Sequence, residues 1–383
     1  MHKKQKILFD GRFLSLSHAG LGRYSCEILK NILKTSSDFS YTVLVTKGTK
    51  FDNDLSRVIY EQGENVEIIE TDIAHYSIGE QTKLSSLIKS IRSDLVHFPH
   101  FNHPALYNGR FVVTIHDLTL SQYSERGGLF KRSLYRIVIN HAAKASRKIL
   151  AVSNFVRDEI AQEFKLPKSK IVTTYNGIDD IFTKITNPRT LKKVEKYGLM
   201  SPYILSVGQW RSHKNLLRLV RAFAMVIKNP KIPRNLELVF AGRDDPKYPE
   251  LKALVRDLEL DNRVKFTGFV ADEDLPVIYN NALAFCFPSL SEGFGLPGLE
   301  AQACGTPVIS SDKTCLPEIY GKAALYFDPE SIDDIAHKII RVLTDDDLRA
   351  NLIEIGLDNS KKFTWEQAAQ KTLEVYREIL YNE

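Results

Sequence analysis

Two glutamates flanking a glycine-rich turn are the residues of this 383-residue chain best suited to grip and polarise a substrate. They bound the stretch Glu292-Gly293-Phe294-Gly295-Leu296-Pro297-Gly298-Leu299-Glu300, which follows an apolar run ending at Phe287. The order reads as strand, turn, helix. Pro297 suits a first helical turn, where N–H groups lack intrahelical acceptors, and Gly305 suits a helix stop. The free N–H groups and positive dipole end of such a helix attract phosphate. Glu292 stays on the turn while Glu300 lies about one turn into the helix, so one carboxylate can reach a sugar ring and the other a ribose diol. A glutamate near a helix start also stabilises the dipole with no ligand present, and the turn alone leaves both readings open.

Other groups sit where strands end. Arg211 and Lys214 follow the apolar run 203–207, and the C-terminal end of a parallel strand is where open α/β sheets bind ligands. Both cations can reach one diphosphate there; a solvated basic loop is the plain alternative. His116 and Asp117 likewise end the apolar run 111–115. His97, His100 and His103 are evenly spaced, but Pro99 and Pro104 break any helix that would align them on a metal. Gly20 and Gly22 mark a second glycine-rich turn. It lacks the third glycine of a dinucleotide fingerprint, and no acidic strand end follows about 20 residues later, so dinucleotide binding is not expected. Asp272 ends the segment 266–272, and one reading makes it the N-cap of a helix over 275–280.

The elements that must hold these groups alternate along the chain. Strands are expected at 7–10, 41–45, 66–69, 95–98, 111–115, 148–152 and 171–174, then at 203–207, 236–240, 264–267, 282–287 and 308–310, with helical patterns between them. This alternation predicts parallel sheets covered by helices on both faces. Leu216, Leu219, Val220, Phe223, Val226 and Ile227 recur at helical spacing and should face such a sheet. The polar stretch 179–200 carries no strand pattern and marks a boundary near 185–200, between domains at 1–185 and 200–364. The segment 364–380, with Trp365, Leu373 and Tyr376, forms a last helix able to cap either one.

Composition narrows the class. With 43% hydrophobic residues the chain can bury two cores, and no run of 18 apolar residues suggests a membrane span or signal peptide. Cys26, Cys286, Cys304 and Cys315 form no CxxC pair, which fits a reduced, cytosolic chain without zinc. The net charge of +5 divides unevenly, with +7 over residues 1–185 and −2 over the rest. Arg126, Lys131, Arg132, Arg136, Lys144, Arg147 and Lys148 face only Glu125 within 121–150. That segment is either a contact for an anionic membrane leaflet or a solvated helix face. The modest excess and the lack of a known module speak against nucleic acid.

The E-x7-E spacing of Glu292 and Glu300 resembles the signature of family 4 glycosyltransferases. The resemblance extends over nearly the whole chain through Asp10-Gly11-Arg12, Gly20-Leu21-Gly22-Arg23-Tyr24, Thr114-Ile115-His116-Asp117, Tyr175-Asn176-Gly177, the Gly208–Asn215 loop and Cys304-Gly305-Thr306-Pro307-Val308. It implies an α/β chain of GT-B fold: two Rossmann-like, doubly wound domains facing each other across a cleft, with residues 365–383 packing back on the N-terminal one. It further implies that Glu300 binds the ribose, Glu292 the transferred sugar, and the backbone of Phe294, Gly295 and Leu296 the sugar and diphosphate. Arg211 and Lys214 would stabilise the departing nucleoside diphosphate electrostatically, so that no metal or cofactor is required. The family often has Arg directly after the glycine where this chain has Gln209, which singles out Lys214 as the firmer of the two.

By the same resemblance His116, supported by Asp117, positions the substrate, and Gly20, Gly22 and Arg23 line the site near the phosphates and acceptor. The backbone at Val270 would flank the base, and Asp272 has a second reading as the acceptor for a guanine edge. The implied reaction is metal-independent, retaining transfer of a hexose from a nucleotide sugar, GDP-mannose favoured over a UDP-sugar. The acceptor is a saccharide or lipid-linked saccharide in cell-surface polysaccharide synthesis, with the enzyme at the inner face of the membrane. A sugar-nucleotide epimerase of the same architecture, or a non-catalytic sugar-nucleotide-binding protein, are the alternatives.

Overall fold

The computed structural model describes residues 4–14, 19–75, 77–119, 129–187, 190, 192–200 and 202–382. The chain forms two compact units, Met1–Gly177 with Thr364–Glu383, and Ile178–Phe363.

Unit 1 holds a seven-stranded sheet of β1 (Gln5–Asp10), β2 (Phe39–Thr46), β3 (Val66–Thr71), β4 (Leu95–Phe98), β5 (Phe111–Ile115), β6 (Lys148–Ala151) and β7 (Ile171–Thr173), in the order β3-β2-β1-β4-β5-β6-β7. Every pairing is parallel. Its helices are α1 (Ala19–Thr35), α2 (Asn53–Gln62), α3 (Ile78–Ile91), α4 (Leu129–Ala145), α5 (Asn154–Phe164) and the C-terminal helix Trp365–Tyr381. Central strands such as β5, Phe-Val-Val-Thr-Ile, are apolar almost throughout because both faces are covered. Thr364 caps the C-terminal helix by accepting from Gln367 N–H. That helix sends Trp365, Leu373, Tyr376 and Ile379 into the same core as Ile28, Leu29 and Ile32 of α1.

Unit 2 repeats the plan with β8 (Tyr203–Val207), β9 (Glu237–Ala241), β10 (Val264–Gly268), β11 (Ala284–Phe287), β12 (Val308–Ser311) and β13 (Ala324–Phe327), all parallel, in the order β10-β9-β8-β11-β12-β13. Its helices are α6 (Leu216–Val226), α7 (Glu250–Asp257), α8 (Leu275–Asn281), α9 (Leu296–Ala303), α10 (Leu316–Tyr320), α11 (Ile332–Thr344) and α12 (Asp346–Ser360). The α6 stripe Leu216, Leu219, Val220, Phe223 and Val226 is buried against Ile204, Leu238 and Phe240 of the sheet.

Numbered from its first strand, each sheet runs third, second, first, fourth, fifth, sixth. In each, the order reverses between the first and fourth strands, so the crevice beyond β1 and β4, and that beyond β8 and β11, are the topological switch points.

Two features depart from the sequence reading. The polar stretch after Gly177 belongs with unit 2: Ile178 N–H donates to Phe363 O, Ile185 N–H to Asn280, and Lys196 and Tyr197 both reach Asp274. The Asn280 side chain bonds both Ile185 N–H and Thr183 O within it. Strand β13 was not anticipated. Four residues long and at the sheet edge, with its middle two half-buried, it is an apolar run too short to tell from a helical segment by pattern alone. Among the described residues, no helix is long and apolar enough to cross a membrane. The four cysteines are free and buried.

Candidate active site

The switch point of unit 2 gathers the charged groups read from the sequence. The loop after β8 carries a short 3-10 turn, Ser212–Lys214, closed by Asn215 in the left-handed region at φ 59. The Asn215 amide donates to Pro288 O and Pro329 O, and Leu290 N–H donates to His213 O at 2.7 Å, so this loop is tied directly to the segment after β11. As a result Lys214 Nζ meets Glu292 Oε1 at 2.5 Å. Both side chains are mostly buried, at 18% and 14% exposure, and the ammonium also lies 5.3 Å from the centre of the Phe287 ring. A pair this close and this shielded is stronger than a surface salt bridge.

Helix α9 begins immediately beyond this pair. Gly295, at φ 91, occupies its N-cap without a side-chain cap, and Pro297 lies in the first turn. The Gly298 N–H donates to Gly295 O at 3.2 Å, and with no side-chain cap the positive dipole end of the helix is turned toward an anion. Glycine is required at 295, since a Cβ there would lie 2.5 Å from the Tyr320 hydroxyl. The Phe294 side chain is buried and meets Phe363 edge-on, which leaves its backbone to act at the turn. Glu300 is buried and accepts from the Tyr279 hydroxyl at 2.8 Å. Its carboxylate is thereby oriented by a neighbouring helix, α8.

Arg211 is separated from this core. Its exposed guanidinium reaches Gln209 at 3.4 Å, and only Lys214 of the two expected cations touches Glu292. Val270 is buried beside Gly268, which has φ 69. Asp272 opens the 3-10 turn Asp272–Asp274 before α8, so the expected N-cap role is corrected: Asp274 holds that position, and it is paired with Lys196 instead of capping. The missed strand β13 leads back to the region through the Asn215–Pro329 hydrogen bond.

In unit 1, His116 follows β5 and its Nε2 lies 2.8 Å from Pro99 O. A carbonyl only accepts, so Nε2 carries the proton and Nδ1 keeps its lone pair in the neutral ring. Burial pushes the His116 pKa below the ordinary histidine range. Tyr24 packs edge-on against the imidazole at 4.5 Å. The expected support from Asp117 takes a different form, because the Asp117 carboxylate accepts from Thr119 N–H at 2.8 Å and Pro99 is what fixes the ring. Gly20, Gly22 and Arg23 lie within the first turns of α1, so the glycine-rich segment opens the first helix; residues 15–18 lie outside the described residues.

The evenly spaced histidines serve packing. His97 bridges Tyr376 Oη at 2.6 Å and Thr114 Oγ1 at 3.0 Å, and His103 bonds His141 at 2.9 Å. Among the described residues, no group of three or more His, Cys, Asp or Glu is placed to hold a metal ion. Of the basic segment 121–150, residues 121–128 lie outside the described residues; Lys144 and Arg147 are exposed, and Arg136 pairs with Glu163.

Comparison with known proteins bears on the family and the fold. Residues 20–181 match the family model Glycosyltransferase Family 4, and residues 189–358 match Glycosyl transferases group 1. The O-antigen chain mannosyltransferase B of Escherichia coli is 28% identical, covering 97% of this chain and 99% of the relative. Sucrose-phosphate synthase from Thermosynechococcus elongatus shares the fold with a TM-score of 0.78 at 22% identity, covering all of both chains. So does Anabaena HepE, solved in complex with UDP and glucose, with a TM-score of 0.75 at 19% identity over 97% of this chain and 99% of that one. With both units matched by glycosyltransferase models, the chain is a family 4-like glycosyltransferase, a hexosyltransferase of GT-B fold.

Proposed function

We propose that this enzyme transfers a hexose, mannose in preference to others, from a nucleotide diphosphate sugar to a saccharide or lipid-linked saccharide, with retention at the anomeric carbon and without a metal. The observation that carries this reading is the Lys214–Glu292 pair at the switch point, beside the uncapped start of α9. Unit 2 takes the donor. The pyrophosphate lies at the α9 N-terminus, where Lys214 and the helix dipole stabilise the charge that builds on the leaving nucleoside diphosphate. Glu292 binds hydroxyls of the sugar, and Glu300, held by Tyr279, grips the ribose. Arg211 adds a second, exposed cation.

Unit 1 contributes His116, whose free Nδ1 accepts a hydrogen bond from a substrate hydroxyl, with Arg23 near the acceptor or phosphates. In the front-face route the bond from the anomeric carbon to the diphosphate oxygen breaks as the acceptor oxygen attacks from the same side, and that phosphate oxygen takes the acceptor's proton. Mannose is favoured because the E. coli relative is named a mannosyltransferase, and a GDP donor gives Asp272 a guanine edge to accept from. HepE was solved with UDP, which keeps UDP-sugars in the test. Exposed Lys144 and Arg147 suit an anionic leaflet carrying a lipid-linked acceptor.

The test incubates the protein with GDP-, UDP-, ADP- and dTDP-sugars and a panel of saccharide and lipid-linked acceptors, following products by mass. An acceptor heavier by one hexose is expected, with GDP-mannose the best donor. Epimerised sugar without acceptor, or binding without turnover, would replace the reading. Sedimentation with liposomes containing anionic lipid tests the membrane contact, and absence of binding at low salt removes it.

A further inference from the structure

The turn bearing Glu292 is held from behind by a segment with strained backbone. Thr314 has φ 56, a left-handed conformation that a β-branched residue adopts only under constraint. It sits in the turn Lys313–Leu316, closed by Leu316 N–H donating to Lys313 O at 3.3 Å, at a position suited to glycine or asparagine. The side chain accounts for the constraint, since Thr314 Oγ1 accepts the Glu292 N–H at 3.2 Å. On the other side of the same residue, the Cys315 S–H donates to Glu292 O at 3.2 Å. Three residues further along the donor turn, Tyr320 O–H donates to Gly295 O at 2.6 Å. Both peptide groups of Glu292 are thus fixed by neighbours in the β12–α10 connection, while its carboxylate is fixed by Lys214.

We propose that Thr314 is a positioning residue for the transfer, its strained backbone retained because the hydroxyl aims Glu292 at the donor sugar. This rests on the function proposed above and names what fixes the geometry of its central carboxylate. A left-handed backbone at a residue whose side chain holds a site residue is the pattern expected where conformation is kept for function. The nucleoside diphosphate is gripped elsewhere, by the α9 start and Glu300. Loss of the Thr314 hydroxyl should therefore lower turnover while leaving nucleotide affinity in place.

Three variants test this with the donor and acceptor that the wild type turns over: Thr314→Val, Thr314→Ser and Thr314→Gly. Each is measured for kcat, donor KM, Kd for GDP and UDP, and Tm. Thr314→Val is expected to lower kcat about 10- to 100-fold with nucleotide Kd within about twofold, and Thr314→Ser to restore kcat to within about threefold of wild type. Thr314→Gly separates positioning from folding. It relaxes the backbone, so Tm is expected to hold or rise while kcat still falls about as far as in Thr314→Val. Wild-type kcat in both Thr314→Gly and Thr314→Val, or a kcat loss that only follows Tm, overturns the proposal and leaves the transferase reading standing. A wild type that transfers no sugar from any donor overturns both.

Discussion

In unit 1 the space beyond β1 and β4 is filled by its own side chains, whereas the matching edge of unit 2, beyond β8 and β11, holds a mostly buried ion pair that still meets solvent, beside an uncapped helix. Arg12, 1% exposed, bonds Asp10 at 2.7 Å and Glu80 at 2.9 Å, and Glu80 also accepts from Asn102. Phe13 and His75 stack at 3.7 Å over this network. Burial works against the Arg12 charge, and Asp10 and then Glu80 outweigh it, raising its pKa above the ordinary arginine value. Lys214 and Glu292 face each other with no comparable ring of partners. One strand order thus supports two uses: a satisfied buried network sets the shape of its unit, and a pair left reachable can exchange its partner for a ligand.

The comparison is broken most severely at Arg12. Arg12→Met leaves Asp10 and Glu80 buried without a cation and should destabilise the protein by about 3–5 kcal/mol in chemical denaturation. A loss below about 1 kcal/mol would mean that the network is not structural. Glu292→Gln and Lys214→Ala, by contrast, act on the reaction: each should lower kcat/KM at least 100-fold, about 2.7 kcal/mol, with a smaller loss of stability than Arg12→Met because their pair keeps some access to water. Near-wild-type rates in either would remove that residue from the mechanism.

Acid provides the next test, because burial depresses His97 to about 3 and His103 to about 4 from 6.5. A lowered folded pKa means the unfolded chain binds more protons once pH drops below 6.5. Stability should be complete above that value and fall by up to about 1.4 kcal/mol per pH unit for each histidine, ending near pH 4 for His103 and near pH 3 for His97. His97→Asn should flatten the lower part of that profile in pH-dependent denaturation, and an unchanged profile would assign the loss to other groups. The smallest effect is expected at Arg211. Its exposed guanidinium makes Arg211→Ala lower kcat/KM by less than about tenfold, and a loss equal to that of Lys214→Ala would make the two cations equivalent.

Much of this was legible in the sequence because parallel strands buried on both faces leave continuous apolar runs, as in β5 and β11, and twelve of the thirteen strands lie where the sequence places them. The glycine-rich turn was equally readable, since Gly295 and Gly298 both lie where a Cβ would strike Tyr320. Thr314 and Tyr320 were missed. A threonine gives no sign of positive φ, and a tyrosine ending a five-residue helix resembles any core aromatic. Asp117 acts on His116 through its charge, while its carboxylate accepts from Thr119 N–H, a partner that adjacency in sequence does not predict. The three spaced histidines find partners that spacing does not foretell, as far away as Tyr376 for His97.

By itself the sequence determined the alternation of elements, the repeated α/β plan and the glutamates at the turn, because periodicity and glycine chemistry act over a few neighbouring residues. Tertiary structure alone decided that Lys214 rather than Arg211 meets Glu292, that Pro99 sets the His116 tautomer, and that Thr314 lies behind the donor turn. Each of those contacts joins residues between 17 and 78 positions apart, and such pairings depend on how strands and loops pack, which no local pattern encodes.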